Sequence, residues 1–292
     1  MIILKGAEAA AQIQREVEER LKALEGYVPT LAIVRVGEKP DDLSYERGAL
    51  SRMKKFGLRA ESYAWPADIS MEEFGERFRR ISEDGDVDGI LLLRPLPPQL
   101  DEREIERMID PGKDLDGISP ENVAKVFLGD RDGFAPCTAE AVIRILKTYQ
   151  VPMEGKRAVI VGRSPVVGRP LAMLFLQEHA TVTVCHTRTR DLERECREAD
   201  ILVAAAGKAG VIGGNHVREG AVAVDVGINV TPEGKLCGDM DFEAVSGKAA
   251  MATPVPGGVG AVTTAVLAEH LVRAAERRKE QGKKERGSKK RS

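Results

Sequence analysis

The sequence is poor in the residues that build metal sites and disulfide frameworks. Its 292 residues include four cysteines and four histidines. The cysteines stand far apart without a C-x-x-C pair, and the histidines show no ligand spacing. These absences argue against a disulfide-stapled fold and against a zinc-binding motif. We therefore expect reduced thiols and no bound metal.

Long apolar runs are absent as well. No stretch approaches the roughly 20 apolar residues that a transmembrane helix needs. The chain turns polar at Lys5, too soon for the apolar core of a signal peptide. We therefore expect a cytoplasmic protein that does not associate with a membrane.

Net charge is also low, at -2, but it is unevenly distributed. Residues 277–292 contain nine Lys or Arg against two Glu, a net charge of +7, which leaves -9 on the remainder. A mildly acidic body lacks the basic surface of a nucleic-acid-binding protein, so we expect no nucleic-acid partner. The tail from residue 279 has no aromatic residue and is interrupted by glycine, so we predict that residues 279–292 are disordered.

What the sequence does contain is a regular alternation of apolar runs and amphipathic stretches. Strands are predicted at 30–36, 60–65, 89–93, 158–161, 181–185, 201–205 and 221–226, and helices at 7–25, 44–56, 71–82, 139–149, 168–178 and 191–198. This alternation predicts an α/β fold with parallel sheets in two domains. The first spans residues 1–138 and is completed by a C-terminal helix at 262–278. The second, at 139–261, is of Rossmann type.

One stretch joins a strand, a glycine loop and a helix. The β-branched run at 158–161 ends at Gly162, and Gly168 precedes an apolar segment that suits a helix. Backbone N–H groups at the start of such a helix can bind a phosphate where no Cβ blocks the approach. The spacing departs from G-x-G-x-x-G, so the pattern alone is equally compatible with a tight structural turn.

Several segments together resemble the methylenetetrahydrofolate dehydrogenase/cyclohydrolase family. They lie at 36–40, 94–97, 113–117, 136–138, 161–170, 184–189, 225–229 and 253–260. The resemblance covers almost all of the chain except the basic tail. It implies a folate-binding first domain, an NADP-binding second domain, an active-site cleft between them and a homodimer. The family oxidises 5,10-methylenetetrahydrofolate with NADP and hydrolyses the 5,10-methenyl product to 10-formyltetrahydrofolate, in one-carbon metabolism.

The resemblance also implies a set of cofactor contacts. They are Gly162, Arg163, Ser164, Gly168, Thr187, Arg188 and Thr189, with Ile228 lining the nicotinamide end. An NAD enzyme typically presents a carboxylate after the second Rossmann strand. Hydroxyl and guanidinium groups stand there instead and suit the 2′-phosphate of NADP. Asp191 follows by several residues and fits a helix N-cap better than a ribose contact.

On the folate side the chain departs from its family. The resemblance implies Tyr45 and Asp116 as substrate-positioning residues, and Pro256, Gly257, Gly258 and Gly260 as a loop that approaches the substrate. The family has a lysine four residues after the tyrosine and a glutamine before the Arg-Pro segment, as the groups of cyclohydrolysis. Here Ala49 and Leu93 occupy those two positions. Neither side chain can transfer a proton or orient one that does.

Three interpretations remain open at this point. The first is an NADP-dependent methylenetetrahydrofolate dehydrogenase with weak or absent cyclohydrolase activity. The second keeps both activities through a displaced base, although Arg52 stays protonated and Lys54 lies on the opposite helix face. The third is a non-catalytic binding or regulatory homologue. The intact cofactor segment favours an enzyme.

Overall fold

The computed structural model describes residues 1–289. In chain order the elements are β1 (Ile2–Ile3), α1 (Gly6–Ala23), β2 (Thr30–Val36), α2 (Pro40–Lys55), β3 (Arg59–Trp65), α3 (Met71–Glu83), β4 (Gly89–Leu92), α4 (Glu102–Met108), α5 (Pro120–Leu128), α6 (Cys137–Thr148), β5 (Arg157–Val161), α7 (Gly168–Gln177), β6 (Thr181–Cys185), α8 (Leu192–Arg197), β7 (Ile201–Ala204), β8 (Val222–Asp225), β9 (Asn229–Val230), β10 (Leu236–Cys237), α9 (Phe242–Ser246), β11 (Met251–Ala252) and α10 (Thr263–Lys289). They divide into two compact units.

The first unit, called the folate unit below, comprises residues 13–125, 132–134 and the chain from 267 onward. Its sheet has three parallel strands in the order β3–β2–β4. The middle strand, β2, is buried along its whole length because its apolar run is covered on both faces.

Helix α3 shows how sequence builds this unit. Ser70 caps its N-terminus by accepting a hydrogen bond from the N–H of Glu73. Phe74 and Phe78, one turn apart, are fully buried on its apolar face. Phe74 meets Trp65 edge to face with ring centroids 4.9 Å apart, which anchors the helix to the end of β3.

The second unit, called the dinucleotide unit below, comprises residues 1–12, 126–131 and 135–266. Its sheet has six parallel strands in the order β1–β11–β8–β7–β5–β6. The chain runs from β5 to β6 on one side and returns to β7 on the other. The loop after β5 therefore lies at the topological switch point, where parallel α/β sheets bind their ligands.

The predicted fold class, α/β with parallel sheets in two domains, is confirmed. Two local predictions are wrong. Helix α2 begins at Pro40, four residues before its predicted start at residue 44, because proline suits the first helical position and acidic residues favour the first turn. Residues 279–289, predicted to be disordered, continue helix α10, since Lys, Glu, Gln and Arg are good helix formers that extend a helix already anchored. The remaining tail residues, 290–292, lie outside the described part.

Within residues 1–289 no helix combines the length and apolarity needed to cross a bilayer. Among residues 1–282, whose side chains are described, no group of three or more His, Cys, Asp or Glu side chains is placed to hold a metal ion. All four cysteines are free thiols, and Cys137, Cys185 and Cys196 are buried.

Candidate functional site

The loop between β5 and α7 is as tight as its glycines suggest. Gly162 adopts φ +138°, and a Cβ there would lie 2.7 Å from the carbonyl carbon of Ala205. A Cβ on Gly168 would lie 2.6 Å from the carbonyl carbon of Gly162. Ser164 closes the turn, its Oγ accepting a hydrogen bond from the N–H of Val167 at 3.0 Å. Only glycine allows this approach of helix to strand, and a tight glycine loop at a helix N-terminus is a typical phosphate-binding site.

A second loop, after β6, stands beside it. Cys185 pairs in register with Val161, so both loops leave the sheet at the same edge. The turn is closed by hydrogen bonds from the N–H of Thr189 to the carbonyl of His186 and from the N–H of His186 to Oγ1 of Thr189, both 2.8 Å. Thr187 and Arg188 are exposed at its tip. The structure thus places the predicted 2′-phosphate residues next to the glycine loop.

The charges of these two loops are uncompensated. Arg163, Arg188 and Arg190 are exposed, and none has an ion-pair partner among the described side chains of residues 1–282. Asp191 is not a competing ribose contact, because its carboxylate caps α8 by accepting a hydrogen bond from the N–H of Arg194. Free guanidinium groups beside a phosphate cradle fit a dinucleotide with an extra phosphate.

A third group of predicted residues lines one cavity of about 310 Å³ in the dinucleotide unit. It contains Ile228 together with the predicted loop residues Pro256, Gly257, Gly258 and Gly260. Ile228 is 66% exposed, so its side chain is available to a ligand. The structure therefore brings the predicted nicotinamide contact and the predicted substrate loop to the same place.

Two buried carboxylates that sequence reasoning missed organise this edge of the sheet. Asp239 is fully buried and accepts hydrogen bonds from the N–H groups of Ala206, Gly207 and Lys208 at 2.6–2.9 Å. Asp225 is 4% exposed and accepts from three more N–H groups at 2.8–3.0 Å. Together they fix the loops that follow β7 and β8. Asp225 opens the resembling segment 225–229, but no role was inferred for it, and Asp239 binds N–H groups 31–33 residues away, which no motif reveals.

In the folate unit, α2 and the end of β4 carry the two positions at which the sequence analysis predicts a departure from the resembled family. Tyr45 is half-buried, and Ala49, one turn later, is fully buried. Leu93 directly follows β4, is 7% exposed and donates its N–H to the carbonyl of Val34 at 2.9 Å. Arg52 is on the same helix, and burial lowers the pKa of its guanidinium. The predicted lysine and glutamine positions are thus occupied by packed apolar side chains.

Asp116 stands on a rigid turn of the same unit. The preceding segment bridges to β4 through a parallel pairing of Asp114 with Ile90, which places Asp116 level with the C-terminal end of that strand. The Asp114 carboxylate accepts hydrogen bonds from the N–H groups of Ile118 and Ser119 at 3.0 and 2.8 Å. Asp116 is half-buried, so the turn leaves it partly accessible.

His270 also holds this turn and was not anticipated. It is fully buried, and its Nδ1 lies 2.7 Å from the carbonyl oxygen of Leu115, next to Asp116. Its ring packs at 5.1 Å between centroids against Phe134. A histidine on α10, 155 residues away from Leu115, gives no local signal of this contact.

An ion pair that was also not anticipated fastens α2 to the sheet. Nε of Arg35 on β2 lies 2.8 Å from Oε2 of Glu46, and Ser62 donates a hydrogen bond to the other carboxylate oxygen. The side chains of the pair are 10% and 8% exposed. This pair fixes the helix that presents Tyr45.

Comparisons with known proteins agree with this geometry. Residues 4–116 match the family model of the tetrahydrofolate dehydrogenase/cyclohydrolase catalytic domain. Residues 136–279 match the model of the NAD(P)-binding domain of the same family. The predicted dinucleotide cofactor is thereby confirmed.

Individual relatives cover nearly the whole chain. A bifunctional FolD protein of Clostridioides difficile is 50% identical over 93% of this chain and 96% of its own length. The crystal structure of the bifunctional FolD enzyme of Campylobacter jejuni superposes with a TM-score of 0.92 at 39% identity, over 95% of this chain and 99% of that one. The Trypanosoma brucei FolD structure, in complex with NADP and an inhibitor, has a TM-score of 0.89 at 34% identity, over 95% and 98%. The ligand of that structure agrees with the predicted NADP.

Proposed function

The chain belongs to the tetrahydrofolate dehydrogenase/cyclohydrolase family, and we propose that it oxidises 5,10-methylenetetrahydrofolate to 5,10-methenyltetrahydrofolate with NADP, with weak or absent cyclohydrolase activity. The observation that carries the proposal is a contrast between the two halves of the site. The glycine loop has the tight geometry expected of a cofactor loop, whereas buried apolar side chains stand at the two positions where the resemblance implies the groups of cyclohydrolysis.

The dinucleotide unit fits NADP through its backbone and its free charges. The cradle formed by Gly162 and Gly168 takes the pyrophosphate, because a Cβ at either position would close it. Arg163 and Arg188 then hold the 2′-phosphate with charge-assisted hydrogen bonds. When bound, NADP accepts a hydride from the methylene carbon of the folate.

The folate unit supplies orientation. Tyr45 stacks its ring on the pterin, and the ion pair behind it keeps α2 in place during turnover. Asp116 accepts hydrogen bonds from the pterin nitrogens, on a turn that Asp114 and His270 make rigid. These groups hold the folate in a fixed orientation, and the oxidation needs no further proton transfer from the chain.

Hydrolysis makes a different demand. A water must lose a proton as it adds to the methenyl carbon, which requires a base with a matched pKa and a fixed position. Ala49 and Leu93 offer neither. The methenyl product would therefore leave unhydrolysed and be consumed by a separate hydrolytic enzyme.

A second candidate is a fully bifunctional enzyme with a displaced base, and the names of the relatives favour it. Two side chains near Tyr45 offer such a group. Lys39 reaches the same end of the sheet, with Nζ 2.6 Å from the carbonyl of Pro95. Asp42 lies three residues before Tyr45 on α2, and burial raises the pKa of its carboxyl. The Lys39→Met and Asp42→Asn variants should lose hydrolysis under this candidate.

Two assays on the purified protein test the proposal. We expect NADPH formation from methylenetetrahydrofolate, and decay of methenyltetrahydrofolate absorbance no faster than in buffer. Ala49→Lys combined with Leu93→Gln should then raise hydrolysis by about 10²-fold or more, the usual contribution of a positioned acid–base group. Ala49→Met with Leu93→Gln is the matched control, since methionine fills similar space without an amine.

Three outcomes of these assays would contradict different parts of the proposal. Rapid methenyl decay by the unaltered protein would refute the monofunctional assignment. A folded Ala49→Lys, Leu93→Gln variant that gains no hydrolysis would refute the assignment of these two positions. Absence of NADPH formation would favour a non-catalytic homologue.

We also propose a homodimer in the cytoplasm. Helix α5 exposes Phe127 and Leu128, which are 69% and 77% accessible, and an apolar surface of this kind suits a protein interface. Light scattering should give the mass of two chains.

A further inference from the structure

Two acidic side chains lie buried in the dinucleotide unit without a cation beside them. Asp225 is 4% exposed and Asp239 is fully buried. Neither carboxylate forms an ion pair with any side chain in residues 1–282, the part whose side chains are described. Each is held by backbone N–H groups alone, apart from one amide hydrogen bond from Asn229 to Asp239 at 2.9 Å. Their charge is therefore spread over fixed dipoles and is not cancelled by a counter-ion.

Two glycines in the surrounding loops leave room for these residues. A Cβ on Gly238 would lie 2.8 Å from Oδ1 of Asp225, and one on Gly227 would lie 2.6 Å from the backbone nitrogen of Asp239. Asp225 also accepts a hydrogen bond from the N–H of Asp239 at 3.0 Å, so the two residues form one unit. The pair is a built feature of the loops after β7 and β8.

Asp225 is one of the residues that line the cavity containing Ile228. The other lining residues of this 310 Å³ cavity are apolar or glycine, so Asp225 is its one charged group. Burial raises the pKa of the Asp225 carboxyl, while the N–H groups of Met240, Asp239 and Gly227 oppose that rise by stabilising the ionised form. A low-dielectric wall with one carboxylate behind it presents negative potential to whatever enters.

We propose that the Asp225–Asp239 pair makes the protein bind oxidised NADP more tightly than NADPH. The proposal rests on the proposed function, in which the nicotinamide ring lies against Ile228. The oxidised ring carries a positive charge and the reduced ring is neutral, so a nearby buried anion stabilises only the oxidised form. In the direction of folate oxidation this preference favours capture of the oxidant and release of the reduced cofactor.

The expected effect follows from Coulomb's law. A buried unit charge that acts on the charged ring through protein of intermediate dielectric constant changes an affinity ratio by about five- to thirty-fold. A purely structural role would loosen the loops and weaken both cofactor forms equally. The ratio of the two dissociation constants therefore separates an electrostatic role from a structural one.

The experiment measures the dissociation constants of NADP and NADPH by calorimetry, without folate. In Asp225→Asn and Asp239→Asn the ratio of the NADPH constant to the NADP constant should fall about five- to thirty-fold. Asp200→Asn is the matched control. Asp200 precedes the N-terminal end of β7, at the end of the sheet away from the cofactor loops, and forms an ion pair with Arg218. Its variant should leave the ratio of the two dissociation constants unchanged.

A variant at the cavity mouth covers the case in which the buried substitutions prevent folding. Leu236 lines the same cavity and is 49% exposed. Leu236→Lys should lower the ratio relative to Leu236→Gln, since it partly cancels the field of Asp225. An unchanged ratio in the folded variants, with both cofactors still bound, would overturn the inference alone. Failure of the unaltered protein to bind either cofactor would instead overturn the proposed function.

Discussion

Replacing Gly168 by alanine is the most direct perturbation of the cofactor loop. The added Cβ would lie 2.6 Å from the carbonyl carbon of Gly162 and 2.9 Å from Cα of Arg163. Both are backbone atoms, so relief requires a shift of the loop itself. Overpacking of this kind costs about 1–3 kcal/mol. At about 2–4 °C per kcal/mol, the melting temperature should fall by several degrees.

The effect on binding should be larger than the effect on folding. The displaced loop carries the N–H groups and the arginine that we propose as phosphate contacts, and losing one charge-assisted hydrogen bond costs about 1.5–3 kcal/mol. Because about 1.4 kcal/mol corresponds to tenfold in affinity, the dissociation constant for NADP should rise at least about tenfold. Calorimetric titration of NADP measures this value, and circular dichroism follows the melting temperature.

Gly247→Ala is the matched control for this substitution. Gly247 follows α9 in the same unit with φ -70°, and a Cβ there would lie 3.6 Å from the carbonyl oxygen of Ala244, an ordinary van der Waals contact. It should leave both NADP affinity and melting temperature nearly unchanged. If Gly168→Ala bound NADP as tightly as this control, the phosphate would not lie in the cradle and the reasoning would be refuted.

Two further predictions concern the folate unit. Arg35→Leu should lower the free energy of unfolding by about 3–5 kcal/mol, because it leaves Glu46 buried without its cation. Arg35→Leu combined with Glu46→Val should lower it far less. Urea unfolding measures both values, and additive effects of the two substitutions would contradict this coupling. Burial and the hydrogen bond to Asp88 raise the pKa of Tyr27 to about 12. The neutral phenol therefore stabilises the folded protein fully below the unfolded-state pKa of about 10, and this stabilisation is lost as the pH rises toward 12. Tyr27→Phe should abolish that loss and remove a late phenolate step from an ultraviolet titration, and persistence of both would contradict the assignment.

The sequence predicted the long elements well and the short ones poorly. Strand β2 has a continuous apolar run, and its predicted bounds agree with the structure. Strands β1 and β11 have two residues each, too few for any periodicity to register, and they exist because they pair with each other. Helix α10 extends beyond its predicted end at residue 278. The lack of aromatic residues and the interrupting glycine suggested disorder, but the Lys, Glu, Gln and Arg residues of this segment favour a helix.

For the candidate site, the sequence predicted contacts between residues close in the chain but not contacts between residues far apart in it. Asp191 was expected to be an N-cap and is one, because a cap and its partner are three residues apart. Asp239 binds N–H groups 31–33 residues away, and nothing in the sequence links them. The roles of Tyr45, Asp116, Ala49 and Leu93 stay predictions that the assays above must test.

The pairing of β1 with β11 bears on how this protein can be cut. Residues 2–3 close the large sheet by pairing with residues 251–252, and the N–H of Gly6 donates to the carbonyl of Gly257 at 2.8 Å. A fragment that begins at residue 136 would lose this cover and expose β11 as an open edge, ready to pair with other chains. The dinucleotide unit is therefore not separable as a continuous piece, and extensions fused directly to Met1 would act on the same sheet that presents the cofactor loops.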